Sequence, residues 1–199
     1  MNRQQIKTDN SYLNSKINLR VNHLPDQQRI KVLDCFAGRS RIWKEIKKKS
    51  NKNINVVGID RISYGSTLKG DNVKYLKGMN LDKYDIIDLD AYGVPFKQLE
   101  IIFQKKYKGI LFITFVQSIF GRLPVRMLEK IGYTRKMIKK CPTLFNRNGI
   151  EKFKQYLAIN GIKKIIIINK NNKKYLYIPS KPLQDKAFRD IINKRKVKI

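Results

Sequence analysis

The stretch from Ile30 to Ser40 reads Ile-Lys-Val-Leu-Asp-Cys-Phe-Ala-Gly-Arg-Ser. An apolar, β-prone run over residues 30–36 predicts a buried strand, and the Ala-Gly pair behind it predicts a tight turn. Residues 40–49 are predicted to be a helix, because apolar side chains recur there at helical spacing: Ile42, Trp43 and Ile46. A strand that runs through a glycine turn into a helix is typical of open α/β sheets, which bind ligands at the carboxyl edge.

The rest of the chain repeats this alternation. Further strands are predicted over residues 55–59, 72–76, 84–89, 110–116, 163–169 and 173–178. Helices are predicted over residues 11–24 and 148–160, and another begins at Pro95. Only the last two strands are joined by a tight turn, at Asn171-Asn172, so the other strands should be parallel. The predicted fold is a three-layer, Rossmann-like α/β fold with a mostly parallel seven-stranded sheet and an antiparallel C-terminal hairpin strand.

The length of 199 residues fits one domain that spans residues 1–199. We expect residues 1–29 to be an N-terminal lead-in. Residues 118–147 mix glycine, proline and many basic residues, which predicts a substrate-binding insertion beside the sheet. We expect residues 186–199 to be a basic amphipathic tail.

The charge of the chain is strongly unbalanced, with 44 Lys and Arg against 15 Asp and Glu and a formal net charge of +29. Such an excess goes far beyond what solubility requires and predicts a polyanionic partner. A compositional bias toward lysine is the alternative. That bias would raise lysine without depleting the acids so strongly, so the charge favours the polyanionic partner.

Metal and membrane roles are not expected. Cys35, Cys141 and the single histidine, His23, provide no ligand set for a structural zinc. The polar amino terminus and the lack of an apolar run of about 20 residues predict no membrane-spanning segment and a cytoplasmic protein.

The turn motif resembles the first motif of the class I S-adenosylmethionine-dependent methyltransferases. Asp34, Phe36, Ala37 and Gly38 match that motif, while Ser40 stands where a further glycine is usual. The resemblance implies the methyltransferase variant of the Rossmann-like fold and S-adenosylmethionine as cofactor. A phosphate cradle would favour G-x-G-x-x-G or a final Gly-Lys-Ser/Thr, and neither is present. The alternative is an ordinary buried strand with a glycine turn.

Other predicted cofactor contacts follow the second and third strands. Asp60 ends the second strand, where a carboxylate accepts hydrogen bonds from ribose hydroxyls, and Arg61 follows it. A solvated acid at the strand end is the alternative for Asp60. In the methyltransferases that this chain resembles, a polar residue near the adenine follows the third strand. The resemblance therefore makes Met79 and Asn80 candidates for contacts with the adenine.

Residues 87–93, Ile-Asp-Leu-Asp-Ala-Tyr-Gly, resemble the Asp-Leu-Asp-Pro-Phe-Gly signature of the tRNA guanosine dimethyltransferases, with Ala91 in place of proline and tyrosine in place of phenylalanine. The resemblance implies that Asp90 holds an exocyclic amine and helps remove its proton, that Tyr92 stacks on the base, and that Asp88 orients the cofactor side. The alternative is that these acids are helix caps and surface acids.

Basic clusters interleaved with aromatic residues suit phosphates and stacked bases. The candidate nucleic-acid contacts are Arg122, Arg126, Arg135, Lys136, Lys139 and Lys140. The sequence therefore predicts a methyltransferase that acts on a nucleic-acid base, with an exocyclic amine in RNA preferred. The rivals are a DNA amino-methyltransferase of a mobile element and a catalytically inactive member of the fold that binds RNA or a protein. Methylation of a small molecule does not explain the charge.

Overall fold

The computed structural model describes residues 12–62, 64–65, 67–117 and 121–181, so the predicted basic tail over residues 186–199 lies outside the described residues. The strands are β1 Arg29–Asp34, β2 Asn53–Asp60, β3 Leu68–Lys69, β4 Ile86–Leu89, β5 Ile110–Val116, β6 Ile166–Lys170 and β7 Lys173–Ile178. The helices are α1 Leu13–Val21, α2 Arg41–Lys49, α3 Asn72–Gly78, α4 Phe96–Gln104, α5 Val125–Lys130, α6 Arg135–Lys140, α7 Pro142–Asn146 and α8 Gly149–Ile159. A short 3-10 helix, Leu81–Lys83, precedes β4.

The strands form one seven-stranded sheet in the order β3-β2-β1-β4-β5-β7-β6. The first five strands in the chain are parallel, and β7 is antiparallel to both of its neighbours, β5 and β6. The β6–β7 turn contains Asn171 at a φ of 49°, a left-handed conformation that asparagine tolerates better than most residues. The predicted mostly parallel sheet with an antiparallel C-terminal hairpin strand is confirmed.

Side chains alternate between the two faces of the sheet and build two apolar layers. On one face, Ile30 and Val32 of β1 pack with Trp43 and Ile46 of α2. On the other face, β1 contributes Leu33 to a larger cluster that includes residues of α3, α4, α5 and α8. This period of two along each strand fixes which side chains reach which layer.

The prediction of a third strand over residues 72–76 is wrong, because these residues form α3. The side chain of Asp71 accepts a hydrogen bond from the backbone N–H of Val73 and so caps the first turn of a helix. Leu76 is the buried side chain of that helix. The third strand is instead the two-residue β3, which is too short to show any periodicity.

Helix α1 falls within the predicted lead-in, but it is part of the folded core. Its buried residues are Ile17, Leu19 and Arg20, and the first two join the cluster on the α2 face of the sheet. The predicted insertion begins directly after β5, and its described residues contain α5, α6 and α7.

Candidate functional site

The turn after β1 lies at the carboxyl edge of the sheet and is tied to both neighbouring strands. The backbone N–H of Cys35 donates to the Asp88 carbonyl at 3.0 Å, and that of Ala37 donates to the Ile59 carbonyl at 3.1 Å. Gly38 has a φ of 49° and Ser40 a φ of 55°. Ser40 therefore adopts the left-handed conformation that a glycine would adopt at lower cost, by about 1–2 kcal/mol. The serine does not prevent the turn from forming.

Two glycines around this turn have different roles. A Cβ on Gly58 of β2 would come within 2.8 Å of the Ala37 Cβ, so β2 and the turn pack too closely for a side chain. A Cβ on Gly38 would have no heavy atom within 4 Å. The turn is therefore tightly supported on the β2 side and open at Gly38, where a ligand can approach the backbone.

Asp60, predicted to bind ribose, lies beside this turn. Its Oδ2 accepts from the backbone N–H of Gly38 at 2.9 Å, and its Oδ1 accepts from that of Ile62 at 3.0 Å. Each carboxylate oxygen has two lone pairs, so the group retains capacity for further donors. The adjacent Arg61 is exposed.

The sequence did not identify Asn72 and Gln98, which also lie at this edge. Asn72 donates from Nδ2 to the Cys35 carbonyl at 2.7 Å, and Gln98 donates from Nε2 to Asn72 Oδ1 at 2.8 Å. The predicted contacts Met79 and Asn80 lie instead at the far end of α3, before β4 begins. Because α3 is a helix, it carries the chain away from the carboxyl edge, and the structure does not bring these two residues to the turn.

Asp88 is fully buried in β4 on the face covered by α1 and α2. Arg20 of α1 donates from Nε to Oδ2 at 2.7 Å and from Nη2 to Oδ1 at 2.6 Å, and Trp43 donates from Nε1 to Oδ2 at 2.9 Å. Two hydrogen bonds from a cation and one from a neutral donor satisfy the carboxylate. Its surroundings make Asp88 an internal anchor that holds α1 and α2 on the sheet.

Asp34 and Asp88 are direct neighbours in the register of β1 and β4. Burial and the Asp88 charge raise the pKa of Asp34 well above its ordinary value, and the hydrogen bond from the Phe36 N–H does not offset them. Two carboxylates this close and this buried disfavour a second charge. The neutral form of Asp34 is therefore favoured. Asp34 is the last residue of β1, immediately before the turn.

Asp90 follows β4 at the edge, and it is held by two residues that the sequence did not single out. Lys16 Nζ lies 2.7 Å from Asp90 Oδ1, and Thr114 of β5 donates its hydroxyl to the same oxygen. Burial raises the pKa of Asp90, but the charges of Lys16 and Arg20 and the hydrogen bonds outweigh it, so that pKa is below its ordinary value. Asp90 is an ionised carboxylate whose side chain is 15% exposed.

The loop after Asp90 carries the aromatic residue that was predicted to stack. Ala91 is buried, whereas Tyr92 is 65% exposed. Gly93 adopts a φ of 110°, and its carbonyl accepts from the Val116 N–H at 3.1 Å, which ties the loop to the end of β5. The structure thus brings Asp34, Asp60, Asp88, Asp90 and Tyr92 to one edge of the sheet.

The six predicted nucleic-acid contacts are all exposed on or beside α5 and α6. Two of them are paired with carboxylates. Arg126 lies 3.4 Å from Glu100 of α4, and Arg135 lies 2.6 Å from Glu129. Gln117 donates from Nε2 to the Gly121 and Asn146 carbonyls and so closes the insertion on itself. This surface is next to the carboxyl edge, but only part of its charge is available to a ligand.

Within the described ranges, no cluster of three or more His, Cys, Asp or Glu side chains has the arrangement needed to hold a metal ion. None of the described helices has both the length and the apolar character required to span a bilayer.

Comparison with known proteins supports the fold. No protein-family model and no curated protein sequence matches the chain. A SAM-dependent methyltransferase from Archaeoglobus fulgidus is 15% identical with a TM-score of 0.52, over 83% of this chain and 93% of that chain. Precorrin-6y C5,15-methyltransferase from Geobacter metallireducens is 9% identical with a TM-score of 0.50, over 89% and 91%. A possible exported protein from Bordetella parapertussis is 11% identical with a TM-score of 0.54, over 85% and 67%. The chain has the Rossmann-like methyltransferase fold.

Proposed function

We propose that this chain is an S-adenosylmethionine-dependent methyltransferase that acts on an exocyclic amine of a nucleic-acid base, with RNA preferred over DNA. The observation that carries the proposal is the convergence of the open Gly38 turn, the Asp60 carboxylate and the ionised Asp90 at one carboxyl edge. Ligands of open α/β sheets bind at that edge. We place the activity in the cytoplasm.

The residues at the turn fit an adenosyl cofactor. The open space at Gly38 admits a ligand to the backbone, and Asp60 retains lone pairs for two hydroxyl groups. Asn72 and Asp71, rather than Met79 and Asn80, follow the third strand and are the revised candidates near the adenine. Asp34 and Arg61 complete the proposed cofactor set. When bound, the cofactor supplies a methyl group that its sulfonium already activates.

The proposed role of Asp90 is to hold the amine and to accept its proton. A carboxylate with a lowered pKa is ionised at neutral pH and accepts hydrogen bonds from an exocyclic amine. Lys16 and Thr114 fix its orientation, so the substrate amine meets a prearranged acceptor. Tyr92 extends from the same loop and offers an exposed ring for stacking on the base.

Nucleic acid is the preferred substrate class because of the net charge of +29 and the exposed basic side chains of the insertion. RNA is preferred over DNA because residues 87–93 resemble the signature of the tRNA guanosine dimethyltransferases. The second candidate is a catalytically inactive member of the fold that binds RNA. Ala91 in place of proline favours it, and so does the engagement of Asp90 by Lys16.

The cofactor step is tested by calorimetric titration of S-adenosylmethionine into the wild type, Asp60→Ala and Lys77→Ala. Asp60 lies at the proposed ribose site, whereas Lys77 is an exposed residue of α3 and serves as the control. We expect wild type and the control to bind alike and Asp60→Ala to bind at least about tenfold more weakly. If wild type does not bind, the proposed cofactor is wrong.

The substrate step is tested by transfer of a labelled methyl group into tRNA, rRNA and DNA. We expect RNA to be labelled and Asp90→Ala to lose about 100-fold or more in rate, the usual scale of acid–base assistance. Cofactor binding should survive in that variant. Cofactor binding by wild type without transfer to any nucleic acid would favour the inactive RNA binder.

A further inference from the structure

The outer face of α2 carries a basic groove that the sequence motifs did not identify. The groove has a volume of about 510 Å³ and is lined by Arg39, Arg41, Lys44, Glu45, Lys47 and Lys48. All five basic side chains are exposed. We call these six residues the α2 basic groove.

We propose that the α2 basic groove binds the phosphodiester backbone of the nucleic-acid substrate. The inference rests on the proposed function, which it deepens by naming the surface that positions the substrate. Basic side chains that contact only phosphates position a nucleic acid on the protein but do not distinguish its bases.

The cations of the groove are less neutralised than those of the insertion. In the part of the chain that the structure describes, Glu45 pairs with Lys48 at 2.9 Å, and the other four basic residues are in no ion pair. On the insertion, by contrast, Arg126 and Arg135 are engaged by carboxylates. A nucleic acid releases condensed counterions when protein cations neutralise its phosphates, and a cation already paired with a carboxylate neutralises less. The four unpaired side chains should therefore make binding at the groove dependent on salt.

The groove is also well placed relative to the site. Arg39 belongs to the turn after β1, so the groove starts at the carboxyl edge and continues along α2. The insertion follows β5 at the same edge. Its helix α5 packs on the opposite face of the sheet, where Lys130 of α5 lies 3.1 Å from Glu100 of α4. An RNA chain that contacts both surfaces would cross the edge of the sheet where Asp90 and Tyr92 lie.

A lipid surface is a poorer fit for this groove. The apolar side chains of α2 face the sheet, because Trp43 and Ile46 are buried and Ile42 is half-buried. The outer face of the helix therefore offers no fully exposed apolar side chain to a bilayer. Membrane-binding helices combine basic residues with an exposed apolar face.

The test uses the triple variant Arg41→Gln/Lys44→Gln/Lys47→Gln. Its matched control is Lys74→Gln/Lys77→Gln/Lys108→Gln, which removes the same charge from exposed lysines away from α2. Glutamine is a good helix former, so α2 should remain folded, and circular dichroism verifies it. Binding is measured by fluorescence anisotropy with a labelled single-stranded RNA of about 30 nucleotides, from about 50 to about 200 mM KCl.

We expect the triple variant to bind RNA about tenfold more weakly than the control, with a slope of log affinity against log salt that is shallower by about 2, or about 0.7 for each lost phosphate contact. Equal affinity and slope in the two variants would overturn the inference. So would a loss of binding to phosphatidylserine vesicles with RNA binding intact. The assay contains no S-adenosylmethionine, so a failure of methyl transfer does not affect its outcome.

Discussion

Arg20 donates two hydrogen bonds to Asp88, from Nε at 2.7 Å and from Nη2 at 2.6 Å, and both side chains are only 1% exposed. One helical turn earlier, Lys16 pairs with Asp90. Residues four apart on a helix and two apart on an extended chain are each separated by about 6–7 Å, so the two cations of α1 match Asp88 in β4 and Asp90 directly after it. The pairing fixes α1 across the functional edge.

Removal of Arg20 should strongly destabilise the fold. Arg20→Met would leave the Asp88 carboxylate buried without its cation, which costs about 3–5 kcal/mol in the free energy of unfolding. Urea unfolding followed by circular dichroism measures the loss. The control is Lys48→Met, which breaks an exposed pair worth at most about 1 kcal/mol.

The double variant Arg20→Met/Asp88→Asn distinguishes loss of charge balance from loss of packing. Asparagine is neutral and still accepts from Trp43, so it should recover much of the stability. A double variant as unstable as Arg20→Met would show that the buried charge is not the cause.

Asp34→Asn should reduce the pH dependence of stability. The folded protein holds a proton on Asp34 that the unfolded chain releases near pH 4, because burial and Asp88 raise the pKa of the folded-state carboxyl. The free energy of unfolding therefore falls as pH rises from that value to the folded pKa. Asparagine mimics the neutral acid and retains the acceptor for the Phe36 N–H. Urea unfolding at pH 5 and at about pH 8 should show a smaller fall for the variant.

Lys16→Met should raise the pKa of Asp90. Burial alone raises that pKa, and Lys16 is the first of the groups that lower it below the ordinary value. A depressed pKa stabilises the fold above the unfolded-state pKa, and this stability is lost as pH falls through the folded-state value. In the variant the loss should begin at a higher pH. A carbon-13 NMR titration of the carboxyl measures the shift, and Lys44→Met should leave the Asp90 titration unchanged.

Gly58→Ala and Gly38→Ala should destabilise the turn for different reasons. The first places a methyl group within 2.8 Å of the Ala37 Cβ, and such overpacking costs about 1–3 kcal/mol. The second has open space but requires a left-handed backbone at a φ of 49°, which costs an L-residue about 1–2 kcal/mol. Because Thr67 Cγ2 also lies 3.2 Å from the new methyl group, adding Ala37→Gly should rescue Gly58→Ala in part and should not rescue Gly38→Ala in urea unfolding. Equal rescue of both would contradict the close packing.

Several elements were predictable because a local signal determines them. The apolar run that predicted β5 over residues 110–116 gives the observed strand, and the helix predicted over residues 148–160 matches α8. The strand predicted over residues 72–76 failed because Val73 and Tyr75 are β-prone, while the cap from Asp71 favoured a helix. Local propensity was weaker than capping and burial there.

The residues of the candidate site also divide into those that a sequence pattern could place and those that it could not. Asp34, Asp60 and Asp90 could be placed together because the carboxyl ends of parallel strands share one edge. The roles of Lys16 and Arg20 could not be predicted, because their acidic partners lie far away in the sequence. Their ion pairs form only because α1 packs across β4. The one available signal was their spacing of four residues, which is uninformative until Asp88 and Asp90 are known to face α1.

Tyr92→Ala should weaken RNA binding without changing its salt dependence. A stacked base contributes about 1–3 kcal/mol, and stacking releases no counterions, so the affinity should fall while the slope of log affinity against log salt stays constant. Tyr92→Phe keeps the ring and should bind like wild type. Fluorescence anisotropy with the same labelled RNA measures both quantities. Because the α2 groove triple variant should change the slope and Tyr92→Ala should not, the two experiments separate contacts to phosphates from contacts to bases. A shallower slope in Tyr92→Ala would contradict the stacking role, because it would show that the tyrosine supports contacts to phosphates.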